Sequence, residues 1–133
     1  NKALKWLLKA AEKNESVGQN NLGVWYEDEK DYISAYKWYL SSAKSGNQVA
    51  QYNLGRLYEN GLGTAKAFIN AINWYKKSAE QGFANGQFNL GRMYELGMGT
   101  ARDIDEAIKY FRLSSKQGLQ SAQEALNRLG YSE

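Results

Sequence analysis

Apolar side chains recur at helical spacing along the chain, in segments separated by glycine-containing turns. In residues 49–60 the apolar positions fall on one side of a helix, and in residues 67–81 they occupy more than one face. The second pattern is typical of a helix packed between neighbours. The pair Gly61-x-Gly63 follows the first segment and suits the left-handed turn that ends a helix.

The same patterning predicts helices throughout and no strand. The chain contains no proline, and no segment alternates apolar and polar residues as a half-buried strand would. The predicted helical segments are 2–13, 17–28, 32–45, 48–60, 67–81, 84–96, 103–117 and 121–130.

The sequence of one predicted helix pair recurs at a fixed period. Residues 54–59 return as residues 90–95, and laying residues 48–83 on 84–119 gives 16 identities in 36 positions. A period of this length indicates stacked supersecondary units that share a continuous core. We therefore predict one repeat array over residues 1–133. Its predicted parts are the second helix of a partial unit (1–14), a shortened unit (17–46), two full units (48–82 and 84–118) and a closing helix (121–133).

The repeated glycines and alanines predict close helix packing. A glycine inside a helix costs about 1 kcal/mol relative to alanine, so a regular recurrence needs a compensating contact. We expect a large ring from the second helix of each pair to lie on the bare backbone. The glycines are Gly23, Gly55 and Gly91, and the expected rings are Trp38, Trp74 and Tyr110.

The motif of one unit resembles a known family. Ala-Gln-Tyr-Asn-Leu-Gly-x-x-Tyr-x-x-Gly-x-Gly-Thr stands at residues 50–64, and Ala-x-x-Trp-Tyr-x-x-Ser-Ala-Glu-Gln-Gly at residues 71–82. Both strongly resemble the Sel-one-like repeat, a relative of the tetratricopeptide repeat. The resemblance implies an all-α, right-handed α/α superhelical solenoid of stacked antiparallel helix pairs. It also implies a protein that binds other proteins or peptides as an adaptor or scaffold.

Composition narrows the function further. Histidine and cysteine are absent, which removes the commonest general base, the soft metal ligands and thiol chemistry. We expect no catalytic residue, no cofactor and no metal, and hence a protein that is not an enzyme. The net charge of +3 comes from interspersed charges, so we expect no nucleic-acid partner. No apolar run reaches membrane length, so no membrane insertion is expected, and the sequence assigns no localisation.

Four sets of residues match other known sequence motifs: a cation site, a nucleophile motif, a glycosylation sequon and a helix cap. The carboxylates Glu27, Asp28, Glu29 and Asp31 could hold a hard cation, but a solvated turn is the favoured interpretation. Two Ser-x-x-Lys spacings lack the partner motifs of a serine–lysine nucleophile; they lie at residues 34–37 and 41–44. A glycosylation sequon stands at residues 14–16. Asp103-x-x-Glu106 has the spacing of a helix capping box, and Asp31 and Ala67 occupy the column of Asp103.

The remaining candidate surface lies on the first helix of each pair, which by resemblance lines the concave side of the solenoid. Residues two before and two after the Leu of each Leu-Gly pair, or of Leu-Asn in the closing helix, should point into this groove. They are Asn20, Val24, Tyr52, Arg56, Phe88, Arg92, Glu124 and Arg128. Aromatic and arginine side chains suit a peptide or an acidic partner. The alternative is that Arg56–Glu59 and Arg92–Glu95 are simple i,i+3 pairs within one helix.

The favoured function is therefore a non-enzymatic module that binds a partner protein or peptide in the concave groove. We expect Tyr52, Arg56 and Arg92 to bind the partner and to contribute little to folding, so that Arg56→Glu with Arg92→Glu would weaken binding and leave thermal stability nearly unchanged. The alternative is a structural or oligomerising spacer attached to a catalytic or signalling domain outside this segment. The opening helix carries apolar residues that match buried positions of later units, so we also expect this end either to associate with another copy of the chain or to fray. These residues are Leu4, Trp6, Leu7, Leu8 and Ala11.

Overall fold

The computed structural model describes residues 2–13 and 15–131 of the chain. This part contains eight α-helices and no strand, which confirms the predicted fold class. The helices are α1 (Lys2–Glu12), α2 (Ser16–Asp28), α3 (Tyr32–Lys44), α4 (Gln48–Asn60), α5 (Phe68–Glu80), α6 (Ala84–Leu96), α7 (Ile104–Lys116) and α8 (Gln120–Arg128). The sequon residue Asn14, and residues 1 and 132–133 of the predicted end segments, lie outside the described residues.

The helices stack in chain order. Each helix packs on the one before and the one after it, and the tightest pairs are α2 with α3, α4 with α5 and α6 with α7. The first helices α4 and α6 also contact each other directly. We call α2, α4, α6 and α8 the first helices, and α1, α3, α5 and α7 the second helices. The arrangement is an α/α solenoid whose core runs between successive pairs.

The loops inside the pairs differ as the repeat alignment predicts. Residues 61–67 join α4 to α5 and residues 97–103 join α6 to α7, whereas only residues 29–31 join α2 to α3. Gly61 ends α4 in a left-handed conformation with φ 67°, and Gly63 follows with φ 72°. A Cβ atom on Gly63 would overlap the Tyr32 carbonyl oxygen at the start of α3. The second glycine of the loop is therefore required for contact between neighbouring units as well as for its φ angle.

The aromatic rings on the helical glycines are not the predicted ones. Tyr39, Tyr75 and Phe111 are fully buried, and a Cβ atom added to Gly55 would lie 2.6 Å from a ring carbon of Tyr75. The predicted Trp74 lies one residue earlier and packs partly buried against the core formed by α3 and α4. A step of one residue turns a side chain about 100° around a helix, so adjacent aromatic residues contact different partners.

The second helices α3, α5 and α7 differ in their N-caps. Asp31 accepts a hydrogen bond from the backbone N–H of Ser34 at 3.2 Å, and Asp103 accepts one from that of Glu106 at 3.1 Å. Ala67 caps α5 with the same extended backbone as Asp103 but makes no side-chain hydrogen bond. The column that the sequence identified is thus the N-cap column, and α5 lacks its side-chain cap.

Candidate functional site

The predicted binding residues all lie on first helices, but they are not equally accessible. Val24, Glu124 and Arg128 are exposed, and the predicted aromatic and arginine residues of α4 and α6 are half-buried. Leu96, which the sequence interpretation missed, is 59% exposed at the end of α6. We call the surface made by these side chains the first-helix face; it comprises Val24, Tyr52, Arg56, Phe88, Arg92, Leu96, Glu124 and Arg128.

Asn20 does not belong to this face, contrary to the sequence-based expectation. It is only 7% exposed, and its side-chain oxygen accepts a hydrogen bond of 3.1 Å from Nδ2 of Asn53. This bond joins α2 to α4 between the first helices. A buried amide must satisfy its hydrogen-bonding groups within the protein, and Asn53 does so here.

Each arginine of the face binds a glutamate of the preceding first helix. Arg56 donates to Glu27 at 3.1 and 2.8 Å, and Arg92 donates to Glu59 at 3.4 and 3.0 Å. Arg128 donates to Glu95 at 2.6 and 3.0 Å. The arginines thus bridge consecutive helices, and the i,i+3 alternative within one helix is wrong. We call these three ion pairs the arginine–glutamate ladder and each pair a rung.

A tyrosine and an asparagine from two other repeat columns add hydrogen bonds to each of the first two rungs. The Tyr39 hydroxyl donates to Glu27 at 2.7 Å, and the Tyr75 hydroxyl donates to Glu59 at 2.8 Å. Side-chain oxygens of Asn53 and Asn89 accept bonds from the arginines three residues later, at 3.1 and 3.5 Å. The sequence held a signal for this network, since Glu27, Glu59 and Glu95 recur in one repeat column.

The ladder fixes the protonation states of its members. Burial alone would raise the pKa of Glu27, but hydrogen bonds from Arg56 and Tyr39 and the charge of Arg56 hold it below its usual value. The hydrogen bond and charge of Arg128 likewise lower the pKa of Glu95. Burial and the neighbouring carboxylate raise the pKa of Tyr75. At neutral pH Glu27 and Glu95 are therefore ionised, and the Tyr75 hydroxyl is protonated and donates.

A pocket opens on the face at the third rung. Its volume is about 290 Å³, and it lies between α6, α7 and α8. The rings of Phe88 and Phe111 pack with centroids 5.6 Å apart, and Arg128 and Glu95 also line it. The complete lining is Phe88, Arg92, Glu95, Leu96, Phe111, Ala125 and Arg128. Such a site combines an apolar surface with a few fixed polar groups, as ligand pockets commonly do.

The remaining chemical candidates have local roles. Glu27 belongs to the ladder and Asp31 caps α3, so the acidic cluster is divided between two tasks. The Ser34 hydroxyl donates to Asp31 at 2.8 Å, and the Ser41 hydroxyl donates to Gln19 at 3.1 Å. Among residues 2–13 and 15–131, no group of three histidine, cysteine or acidic side chains gathers as a metal site would. Within the same residues, no helix is long and apolar enough to span a bilayer.

Comparison with known proteins places the chain in a family. The family model described as the Sel1 repeat matches four consecutive segments, residues 1–15, 16–47, 48–83 and 84–119. The chain belongs to the Sel1 repeat family. The resemblance drawn from the sequence motif is thereby confirmed. No curated protein gives a significant match to this Sel1 repeat chain.

Solved structures share the fold of this Sel1 repeat chain. A protective antigen present in uropathogenic Escherichia coli strains, which displays an SLR fold, is 38% identical over 92% of the chain with a TM-score of 0.89. A Sel1 repeat protein from Oxalobacter formigenes is 33% identical over 96% of the chain with a TM-score of 0.88. The chain spans 27% of the first protein and 54% of the second. Helicobacter pylori cysteine rich protein B, 24% identical over 91% of the chain and 90% of its own length, shares the fold with a TM-score of 0.73.

Proposed function

We propose that this Sel1 repeat chain is a non-enzymatic interaction module that binds an extended segment of a partner protein along the first-helix face. Sel1 repeats generally mediate contacts between proteins and are generally non-catalytic. The observation that carries the proposal is the alternation along this face of apolar side chains with charged groups already held in place. Preorganised contact surfaces lose less entropy when a partner binds.

The ladder changes the partner chemistry that the sequence suggested. Each arginine of the face is bonded to a glutamate, so the three rungs add no net charge. A strongly acidic segment would have to compete with those glutamates. A partner of mixed character, with apolar side chains between polar ones, fits the face better.

Nucleic acid is not part of the proposal. Residues 2–13 hold four lysines and one glutamate, which gives the same net charge of +3 as the whole chain. The remaining residues, which include the first-helix face, therefore have balanced charge. A nucleic-acid site needs clustered positive charge to neutralise phosphates.

The test is a selection of random peptides displayed on phage against the purified chain. Leu96→Asp and Val24→Asp place charges on exposed apolar positions of the face, and Ile69→Asp is the matched control on the second helix α5. We expect the face variants to weaken selected peptides at least about tenfold, or 1.4 kcal/mol, while the control leaves affinity unchanged. Selected peptides that bind the face variants and the wild type equally would refute this function.

The alternative function, a spacer for a domain outside this segment, is separated by the same experiment. A spacer needs no peptide-binding face. If the chain is a spacer, selection should therefore yield no peptide whose affinity falls in the Leu96→Asp variant. The relatives' greater length is compatible with both functions, because the chain spans 27% and 54% of the two proteins that are more than 30% identical. Specific peptides sensitive to Leu96→Asp favour the module.

Self-association through the opening helix is a second proposal. Trp6 is 70% exposed, whereas Trp74 and Tyr110 in the same repeat column pack partly buried against the core between α3 and α4 and the core between α5 and α6, respectively. We propose that a second copy of the chain covers Trp6. The lysines around it would repel one another, so association should strengthen with salt. Sedimentation that shows a monomer at high concentration, in both low and high salt, would exclude it.

A further inference from the structure

The third rung of the ladder departs from the first two at two positions. Phe111 stands in the column of Tyr39 and Tyr75 and packs over Gly91 as they pack over Gly23 and Gly55. It therefore lacks the hydroxyl that donates to the glutamate in the other rungs. Ala125 stands three residues before Arg128, where Asn53 and Asn89 stand before Arg56 and Arg92.

These two changes remove polar atoms at the place where the pocket lies. Phe111 and Ala125 both line the pocket of about 290 Å³, and Glu95 and Arg128 lie beside them. An asparagine at position 125 would place here the side-chain oxygen that accepts a hydrogen bond from the arginine in the other rungs. The pocket thus coincides with a local loss of the repeat pattern, while the ion pair of the rung is kept.

Glu95 retains capacity for another hydrogen bond. Its two carboxylate oxygens each receive one bond from Arg128, at 2.6 and 3.0 Å. An ionised carboxylate offers about four acceptor positions. Glu27 and Glu59 each use one such position for a tyrosine hydroxyl in addition to their arginine.

We propose that this pocket binds the side chain of a tyrosine from the partner segment, with the ring against the half-buried Phe88, which itself packs on the fully buried Phe111, and with the phenol hydroxyl donating to Glu95. The ligand would supply in trans the hydroxyl that Tyr39 and Tyr75 supply within the chain. This inference rests on the proposed function, because the tyrosine belongs to the segment bound along the first-helix face. Aromatic pairs favour tilted or offset packing of the kind that the two phenylalanines already show.

The chemistry of the pocket disfavours the nearest alternatives. A lysine side chain would meet the guanidinium groups of Arg92 and Arg128, which line the same pocket. A phenylalanine would fill the apolar part but leave the acceptor of Glu95 unused. A phosphorylated tyrosine would place its negative charge against the Glu95 carboxylate. Of these four side chains, unmodified tyrosine is the one that satisfies the ring surface and the acceptor together.

The experiment is an NMR titration of the isotope-labelled chain with p-cresol, with toluene as the matched ligand that lacks the hydroxyl. We expect p-cresol to shift the amide signals of Leu96 and Ala125 and to bind at least threefold more tightly than toluene. Phe111→Tyr restores the hydroxyl and Ala125→Asn restores the amide, and each matches the residue of the other rungs. Both variants should reduce p-cresol binding at least fivefold while retaining the helical circular dichroism of the wild type.

Three results would overturn the proposal. They are equal binding of toluene and p-cresol, no shift at Leu96 and Ala125, and undiminished p-cresol binding in a folded Ala125→Asn or Phe111→Tyr variant. The peptide selection described above distinguishes a failure of the tyrosine pocket from a failure of the proposed function. Peptides that bind the first-helix face without an enriched tyrosine would leave the proposed function intact and reject the tyrosine pocket.

Discussion

Arg56 donates two hydrogen bonds to Glu27, a residue 29 positions earlier, and thereby ties α4 to α2. The same relationship returns in the other two rungs, so a single pair of repeat columns links four first helices. In a solenoid each unit contacts only its neighbours, so such links determine how firmly successive units are joined.

The first prediction compares the two ends of the ladder. The Arg56 side chain is 27% exposed and that of Arg128 is 58% exposed. Arg56→Ala leaves the half-buried Glu27 without its charged partner, so we expect a loss of about 1.5–3 kcal/mol in the free energy of unfolding. Arg128→Ala should cost less, about 1 kcal/mol, because Arg128 itself is mostly exposed, although its partner Glu95 is only 12% exposed. Urea denaturation measures both, and equal losses would contradict the structural role of the first rung.

The ladder also reverses an expectation drawn from the sequence. That interpretation held that Arg56→Glu with Arg92→Glu leaves thermal stability nearly unchanged. In the structure Arg56→Glu places a second carboxylate beside Glu27, and Arg92→Glu places one beside Glu59. The melting temperature should therefore fall. The exchange Arg56→Glu with Glu27→Arg should recover part of the loss that Arg56→Glu causes.

The second prediction concerns pH. The pKa of Glu27 is lower in the folded chain than its ordinary value near 4.5. A carboxyl group with a lowered folded pKa contributes stability that is complete above the unfolded pKa and is lost as the pH falls through the folded pKa. We expect the stability difference between the wild type and Glu27→Gln to be constant from pH 7 to about 5.5 and to shrink at lower pH. Denaturation series at several pH values check this, and a difference that grows on acidification would contradict it.

The third prediction concerns the missing cap of α5. Ala67 has φ −150° and ψ 99°, close to the φ −145° and ψ 97° of Asp103, so an aspartate fits without a backbone change. Ala67→Asp should stabilise the chain by about 0.5–2 kcal/mol, and Asp103→Ala should destabilise it by a similar amount. The pair of denaturation midpoints at neutral pH is the measurement. A neutral or harmful Ala67→Asp would show that capping does not limit this helix.

The fourth prediction concerns the contact between Gly55 and Tyr75. Helix propensity alone favours Gly55→Ala by about 1 kcal/mol. The added Cβ would lie 2.6 Å from Cε1 of the fully buried Tyr75 ring, so overpacking should instead cost about 1–3 kcal/mol. The double variant with Tyr75→Leu should show a smaller penalty for the alanine than the single variant. Stabilisation by Gly55→Ala alone would mean that the ring can move away.

The sequence by itself determined the helices, their period and the N-cap column of the second helices α3, α5 and α7. The helix bounds follow from local patterning and turn glycines, and α4 has the predicted bounds of 48–60. The loss of four residues in the α2–α3 loop was visible from the change in repeat spacing. The lack of a side-chain cap at Ala67 was visible from its column. These features depend on residues close together in the chain, or on comparison of one unit with the next.

Only the tertiary structure decided which side chains meet between units. Trp74 and Tyr75 are adjacent, and the relative rotation of α4 and α5 determines that Tyr75 lies on Gly55. Arg56 has a glutamate three residues later and another 29 residues earlier, and it binds the distant one. Repeat spacing cannot distinguish these partners, because the sequence does not specify the angle at which neighbouring helices pack. That angle places Glu27 within hydrogen-bonding distance of Arg56 and lets Tyr39 reach the same carboxylate.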